Sequence, residues 1–385
     1  MRILVCAIAL AGCSDSSTLA PDAGPDAASP DVDAPPAAER PALEIISLGV
    51  QGFVLRRGDE IVLTAPMFTR QSVLQVTINA ALSADTQAID AGLAAAAIDL
   101  DDVRAIVSGH AHYDHFIDVP EILQRTPNAI AYTNMSGRRM LAALAPDRPA
   151  GCSNTPVTPL ARSRVIALDD PLASYVDYTN CPAQRPDGAP VSGTWLDVPN
   201  SHVRILPVCS MHPAQIGPIH FGEGSVTTDQ CDLPRAASGW LEGQTLGLVI
   251  DFLDDDGTPA YRIFYQDAPT NAPIGHVPAA RLADKPVDVA LLCVGSSDAV
   301  TDHPTQILGT TSPRFALSGH WEDFFQPVSA APQPIPLLDL TGYLGRADAA
   351  LPGPPDAPLV VDGEPRETRH VLVAPGTRFV VPLAP

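Results

Sequence analysis

The sequence is poor in basic residues. Its 385 residues include 23 Lys and Arg against 44 Asp and Glu, which gives a formal net charge of −21 at pH 7. A surface of this sign repels the phosphate backbone of nucleic acids. The charge therefore argues against DNA or RNA as a partner, and it disfavours a nuclease.

The N-terminal apolar run is too short to cross a bilayer. It extends from Ile3 to Leu10 behind a single basic residue, Arg2, whereas a membrane-spanning helix needs about 20 apolar residues. Residues 1–12 instead have the composition of a short secretory signal peptide. A signal peptide of this kind is removed and contributes nothing to the folded domain.

The residues before Cys13 resemble a bacterial lipobox, since the run ends in Leu-Ala-Gly directly before the cysteine. Cleavage before Cys13 and attachment of several acyl chains to it would give a stable membrane anchor. Because Ser14 rather than an aspartate follows, we expect a lipid-anchored envelope protein at the outer membrane, facing the periplasm. The alternative is an apolar N-terminus with a chance cysteine.

The next segment, residues 13–41, is built from Pro, Asp, Ala and Ser. Such a segment lacks the apolar side chains that would offset the entropy of ordering it, so we predict a disordered tether. Residues 42–385 form the folded domain, and the 45% hydrophobic content of the chain suffices for a sizeable core. Within that domain, proline-rich residues 146–200 are predicted to be an insertion.

Cysteine is scarce, and its spacing excludes a zinc ribbon because no two of the seven cysteines are separated by two residues. An envelope location permits disulfides. We predict the pairs Cys152–Cys181 and Cys209–Cys231, each of which flanks an insertion or loop, although spacing alone leaves the connectivity open. Cys293 lies in an apolar run and is predicted to be a buried free thiol.

Histidine is also rare, yet three of the ten histidines lie within six positions, in the stretch Ser-Gly-His-Ala-His-Tyr-Asp-His at 108–115. The stretch follows the largely apolar run 103–107, which predicts a buried strand with His110, His112, Asp114 and His115 on the loop beyond it. Imidazole nitrogens and carboxylate oxygens are the ligands that divalent metals, above all zinc, prefer. This pattern predicts a metal site.

A strand followed by His-x-His-x-Asp-His resembles the signature of the metallo-β-lactamase-fold hydrolases. The resemblance covers about residues 43–325. It implies an α/β (α+β) fold class, a four-layer αβ/βα sandwich with two β-sheets inside and helices outside. It also implies three further metal ligands downstream of the motif.

Each of these further ligands is expected directly after a predicted strand. His212 follows an alternating strand at 203–209, with His220 nearby as its competitor. Asp267 follows the strand 261–265, where members of the family commonly have Gly-Asp-Thr or Gly-Asp-Ser. His320 follows the strand 314–318 and is succeeded by Trp-Glu-Asp, as in the family's final ligand segment.

The resemblance implies a dinuclear centre formed by seven side chains. The first ion would take His110, His112 and His212, and the second Asp114, His115 and His320, with Asp267 shared. Zinc is the expected metal, with iron or manganese as alternatives.

Such a centre implies a hydrolase in which a hydroxide held between two metal ions attacks a carbonyl or phosphoryl centre, and in which Asp114 transfers the proton. The forms His-Ala-His-Tyr-Asp-His and His-Trp-Glu-Asp are more similar to the lactonase-like and phospholipase-D-like branches than to true β-lactamases. An ester, lactone or phosphodiester, in a small molecule or a lipid, is therefore the expected substrate. The alternative is an envelope lipoprotein that binds metal without turnover.

Three positions depart from the family's usual pattern around the metals. Ala65 stands before Pro66 where an aspartate is common, and Gln266 and Ala268 flank the expected bridging aspartate. Further along the chain, residues 368–373 and 377–381 are predicted to form a hairpin.

Overall fold

The computed structural model describes residues 40–152, 158–173, 188–215 and 217–384. The predicted signal peptide, Cys13 and nearly all of the predicted tether lie outside these residues, so the lipid anchor stays a prediction. Within the described part, no helix combines the length and apolar character that a membrane span requires.

The domain is built on two mixed β-sheets. The strands of the described chain are β1 (Leu43–Gly49), β2 (Gly52–Arg57), β3 (Glu60–Thr64), β4 (Val103–Val107), β5 (Ile130–Thr133), β6 (Val165–Ala167), β7 (Leu196–Asp197), β8 (Val203–Cys209), β9 (Leu246–Leu253), β10 (Pro259–Gln266), β11 (Val289–Cys293), β12 (Phe315–Gly319), β13 (Leu359–Val361), β14 (Glu364–Arg366), β15 (His370–Leu372) and β16 (Arg378–Val381). The first sheet has the order β14-β13-β16-β1-β2-β3-β4-β5-β6, and the second has the order β15-β12-β11-β10-β9-β8-β7.

Helices cover the outer face of each sheet. They are α1 (Val73–Thr77), α2 (Thr86–Ala95), α3 (Tyr113–Phe116), α4 (Val119–Arg125), α5 (Met135–Leu141), α6 (Thr305–Thr311) and α7 (Leu340–Ala350). Helices α1 to α5 pack on the first sheet, whereas α6 and α7 pack on the second. The layers are therefore helices, sheet, sheet and helices, which confirms the predicted fold class.

The alternation of side chains along each strand explains these layers. In β9, Leu246, Leu248 and Ile250 enter the core between the two sheets, whereas Val249 enters the core beneath α6 and α7. Successive residues of a strand point to opposite faces, so a strand that is apolar at every position belongs to a sheet covered on both sides. The apolar strands in the sequence indicate this architecture directly.

The topology brings four strand ends to one edge of the sandwich. In the second sheet, β8 and β10 are both antiparallel to β9, and β10, β11 and β12 are parallel. The strands β8, β10 and β12 therefore run in the same direction. In the first sheet, β4 ends at the same edge, where Leu246 N donates a hydrogen bond of 2.8 Å to Gly109 O. Each of these four strands is followed by predicted metal ligands.

The disulfide prediction was wrong. Cys152 is bonded to Cys231, with 5.3 Å between their Cα atoms and a sequence separation of 79. Cys231 is therefore not available to Cys209, which is itself disulfide-bonded, and Cys181 lies outside the described residues. The error arose because the chain near Cys231 folds back to the start of the insertion. Cys293 is free and buried, as predicted.

Two further segments differ from the sequence expectations. Residues 146–200 contribute an edge strand to each sheet, β6 and β7, in addition to the loops of the predicted insertion. The C-terminal hairpin does not form, because β15 pairs with β12 in the second sheet and β16 pairs with β1 in the first. Two adjacent β-rich segments were mistaken for partners, although each completes a different sheet.

The disulfide assignment can be checked by peptide mapping. Proteolysis of the unreduced protein should release one cross-linked species that joins the peptides of Cys152 and Cys231. The Cys152→Ala variant should lose this species and should unfold at lower urea concentration, since a disulfide typically contributes about 2–4 kcal/mol. A peptide that joins Cys152 to Cys181 would contradict the assignment.

Candidate metal centre

Three histidines from two elements form one side of the site. His110 and His112 lie on the loop after β4, and His212 lies just beyond the end of β8. Their ring centroids are 4.7 Å (110–112), 4.8 Å (110–212) and 5.0 Å (112–212) apart. One potential ligand atom from each lies within 4.8 Å of the others. This group coincides with the set assigned from the sequence to the first ion.

The second group is Asp114, His115 and His320. Asp114 Oδ2 lies 3.5 Å from His115 Nε2 and 3.4 Å from His320 Nε2, and the two imidazole centroids are 5.1 Å apart. Asp114 and His115 belong to α3, whereas His320 follows β12. The structure thus brings together the three side chains expected around the second ion.

Asp267 lies between the two groups. Its Oδ1 atom is 3.1 Å from His110 Nδ1, and its Oδ2 atom is 3.9 Å from His115 Nδ1. It therefore contacts one histidine from each expected set. The carboxylate expected to be shared thus lies beside a histidine of each group.

Asp267 is fixed by the backbone of the motif loop. Gly109 N donates a hydrogen bond of 2.8 Å to Asp267 Oδ2. A Cβ atom at residue 109 would overlap Asp267 Oδ1 and Leu246 O, so this close approach requires glycine. Replacing Gly109 by any other residue would push the motif away from the second sheet.

Two of the three imidazoles of the first group, those of His112 and His212, contact backbone carbonyls. His212 Nδ1 lies 2.7 Å from Pro213 O, which leaves Nε2 available. His112 Nε2 lies 3.3 Å from Gly222 O. A carbonyl partner on one ring nitrogen is the arrangement that orients metal-binding histidines.

Burial sets the protonation of these groups. It lowers the pKa of His110, His112 and His115 well below the ordinary value, and it lowers that of His212 as well. Neutral imidazoles present a nitrogen lone pair at neutral pH. Burial also raises the pKa of Asp267, so a nearby cation is needed to stabilise its charge at the centre of the cluster.

Several buried polar atoms of the site have no hydrogen-bond partner among the described residues. They are His110 Nε2, His115 Nδ1 and His320 Nδ1. His110 Nδ1 and Asp267 Oδ1 face each other at 3.1 Å but form no hydrogen bond. Buried polar atoms are normally paired, and a metal ion supplies the missing partner for clustered imidazole nitrogens and carboxylate oxygens. The donor set therefore fits divalent metal ions.

The other histidines lie elsewhere. His220, the competitor of His212, is exposed and lies outside the three groups. His276 contacts Thr310 Oγ1, and His303 Nε2 lies 3.1 Å from Cys293 O. Their hydrogen bonds are structural.

Sequence reasoning missed several residues that shape the site. Asp118 accepts hydrogen bonds from Phe68 N, Thr69 N and Thr69 Oγ1 at 2.6–2.8 Å, which ties the loop after β3 to the motif. Glu242 lies 3.8 Å from His112 Nε2, and burial raises its pKa to about 7. Asp118 is only three residues beyond the motif and could have been noticed, whereas no local pattern marks Glu242.

Comparison with known proteins agrees with the architecture. The sequence profile of the Metallo-beta-lactamase superfamily matches residues 78–151, which include the His-x-His-x-Asp-His motif. A search of curated proteins finds no match.

Three similar solved structures have 10–13% sequence identity to this chain. Igni18, a metallo hydrolase from the hyperthermophilic archaeon Ignicoccus hospitalis, is 13% identical with a TM-score of 0.42, covering 88% of this chain and 98% of that chain. The metallo-beta-lactamase fold protein YhfI from Bacillus subtilis is 10% identical with a TM-score of 0.43, covering 87% and 98%. An isothiocyanate hydrolase from Delia radicum gut bacteria is 12% identical with a TM-score of 0.42, covering 87% and 98%. Likenesses at this level concern the fold and assign no function.

The buried histidines predict that the metal-free protein loses stability in acid. Burial lowers the pKa of His303 to about 4, below the ordinary value of 6.5. Between these pH values the His303 side chain binds a proton in the unfolded chain but not in the folded chain. The contribution of His303 to the free energy of unfolding is therefore fully present above pH 6.5 and is lost as the pH decreases. At pH 5 His303 alone should cost about 2 kcal/mol.

Urea unfolding at pH 7 and pH 5 measures this effect. The His303→Gln variant keeps a donor for Cys293 O and does not titrate, so its loss of stability between the two pH values should be smaller by about 2 kcal/mol. An equal loss in the variant and the parent protein would contradict the assignment.

Proposed function

We propose that this protein is a metal-dependent hydrolase of the metallo-β-lactamase superfamily that acts through two divalent ions. The convergence of seven nitrogen and oxygen donors at one edge of the sandwich, several with buried and unpartnered atoms, carries the proposal. The match of residues 78–151 to the superfamily profile supports it.

The proposed ligands divide between two ions. His110, His112 and His212 would hold the first, and Asp114, His115 and His320 the second, with Asp267 between them. Zinc is the preferred metal because five of the seven donors are imidazoles. When bound, such ions supply Lewis acidity and lower the pKa of water at the site, which is the chemistry of ester, lactone and phosphodiester hydrolysis.

Asp114 is the side chain proposed to move the proton. Its carboxylate lies between His115 and His320, and its side chain retains 14% of its exposure, whereas Asp267 is fully enclosed. The Asp114 carboxylate would accept a proton from the attacking water and return it to the leaving group. Asp267, which is fixed by Gly109 N, orients the two groups of ligands.

The surroundings of the first group favour a substrate with an apolar part. Met211 directly precedes His212, and Phe221 directly precedes Gly222, whose carbonyl contacts His112. The side chains of Met211, Phe221 and the nearby Ile219 are exposed. Exposed apolar side chains beside a reactive centre suit an apolar ester or lactone. The net charge of −21 opposes a nucleic acid substrate.

Metal analysis tests the ligand set. The purified protein, loaded with zinc and dialysed, should retain two equivalents of metal by atomic emission. His112→Ala should lose metal from the first group, because one of its three imidazoles is gone. His202→Ala is the matched control, since His202 is 56% exposed and lies outside the cluster. Retention of both metals in His112→Ala would refute the ligand assignment.

A panel of chromogenic esters, lactones, β-lactams and phosphodiesters tests the catalytic proposal. At least one substrate should be hydrolysed, chelation should abolish the activity, and added zinc should restore it. Asp114→Asn removes the proton acceptor and should lower kcat by about 10²–10⁴-fold. A protein that holds two metal equivalents but hydrolyses no member of the panel would favour a metal-binding role without turnover.

A further inference from the structure

The turn between β1 and β2 packs against the turn that carries His320. His320 N donates a hydrogen bond of 2.6 Å to Val50 O. A Cβ atom at Gly319 would lie 2.9 Å from the same carbonyl and 2.8 Å from Gln51 Oε1, so the two turns approach as closely as glycine permits. The first hairpin of the chain thereby contacts the last predicted metal ligand.

Both residues joined by this hydrogen bond have unusual backbone conformations. Val50 has φ 52° and His320 has φ 56°, which is the left-handed region. A β-branched residue such as valine rarely adopts it, and such conformations persist only where surrounding contacts enforce them. Some interaction must therefore hold the Val50 peptide in place.

Glu322 supplies that interaction. Its carboxylate accepts a hydrogen bond from Val50 N, and the residue is only 5% exposed. Arg70 Nη2 lies 4.0 Å from Glu322 Oε1 and balances the buried charge. Val50 N thus donates a hydrogen bond to Glu322, while Val50 O accepts one from His320 N.

The imidazole of His320 has one polar side-chain contact among the described residues, between Nε2 and Asp114 Oδ2 at 3.4 Å. Its Nδ1 atom has no hydrogen-bond partner among the described residues, in contrast to His212, whose Nδ1 contacts a carbonyl. The ring is flanked by Phe324, with centroids 5.2 Å apart, and Gly295 leaves room for it. The backbone conformation at residue 320 therefore decides where the ring points.

We propose that Glu322 is the positioning residue for His320, because its carboxylate fixes Val50 and thereby the left-handed backbone that directs the imidazole towards Asp114. The inference rests on the proposed function in so far as His320 is a metal ligand. The effect of Glu322 on the orientation of the His320 ring does not depend on bound metal.

Variants of Glu322 separate the effect of side-chain length from the effect of charge. Glu322→Ala removes the acceptor, and Glu322→Asp keeps the charge beside Arg70 but withdraws the carboxylate from Val50 N by one methylene. Glu322→Gln keeps an acceptor at the original distance. The matched control is Asp323→Ala, since Asp323 is the adjacent acid and, among the described residues, its carboxylate accepts hydrogen bonds only within its own loop, from Phe325 and Gln326.

Zinc titration of the chelator-treated protein, monitored by calorimetry, should resolve the two affinities. Glu322→Ala and Glu322→Asp should weaken the second affinity by about 10–100-fold and leave the first unchanged, whereas Glu322→Gln and Asp323→Ala should match the parent protein. His320→Ala identifies which affinity belongs to this group. Unchanged affinities in both Glu322→Ala and Glu322→Asp would overturn the inference.

Crystal structures of the metal-free variants provide a readout that needs no metal. In Glu322→Asp, and in Glu322→Ala if it folds, the imidazole of His320 should move away from Asp114 and residue 320 should leave the left-handed region. A displaced His320 in a protein whose parent binds no zinc would refute the proposed function and uphold the inference. An undisplaced His320 would refute the inference whatever the metal content.

Discussion

The site depends on one close contact between the two sheets, the approach of the motif loop to Asp267. Gly109 N donates to Asp267 Oδ2, and Gly109 O accepts from Leu246 N, so a single residue of the loop after β4 is bonded to β9 and to the residue that follows β10. A side chain at residue 109 would overlap both partners. The fold brings the strand ends to one edge, but this contact sets the distance between the two groups of ligands.

Burial then determines the protonation of the side chains that are assembled at the site. Imidazoles removed from water are held neutral, and a carboxylate removed from water needs a cation beside it. Each of these effects alone would destabilise the domain, because the groups lose hydration without gaining full hydrogen bonding. Together, the neutral imidazoles and the carboxylate present a set of lone pairs that bound cations would satisfy. The cluster is therefore best understood as a binding site whose stability depends on its occupant.

Much of this could be predicted from the sequence, because ligands placed directly after apolar strands obey a local rule. His212, Asp267 and His320 were predicted because the family resemblance implies further ligands and each of these residues follows a predicted strand. The layers follow from strands that are apolar on both faces. The disulfide and the C-terminal strands could not be predicted, since both depend on contacts between distant segments. Cys231 meets Cys152 across a sequence separation of 79, and β15 and β16 separate into different sheets. The roles of Asp118 and Glu322 were not predicted, although both residues lie close to predicted ligands, because they depend on hydrogen bonds from backbone amides of distant segments.

The donors are distributed from His110 to His320 and over both sheets, which has a consequence for folding. No hairpin or single sheet contains the whole set, and the last donor is supplied by β12. Contacts between segments so far apart form late, because the chain must first close large loops. Any affinity for an ion would therefore appear only when the two halves have docked. An ion bound there would raise the free energy of global unfolding rather than stabilise an isolated element.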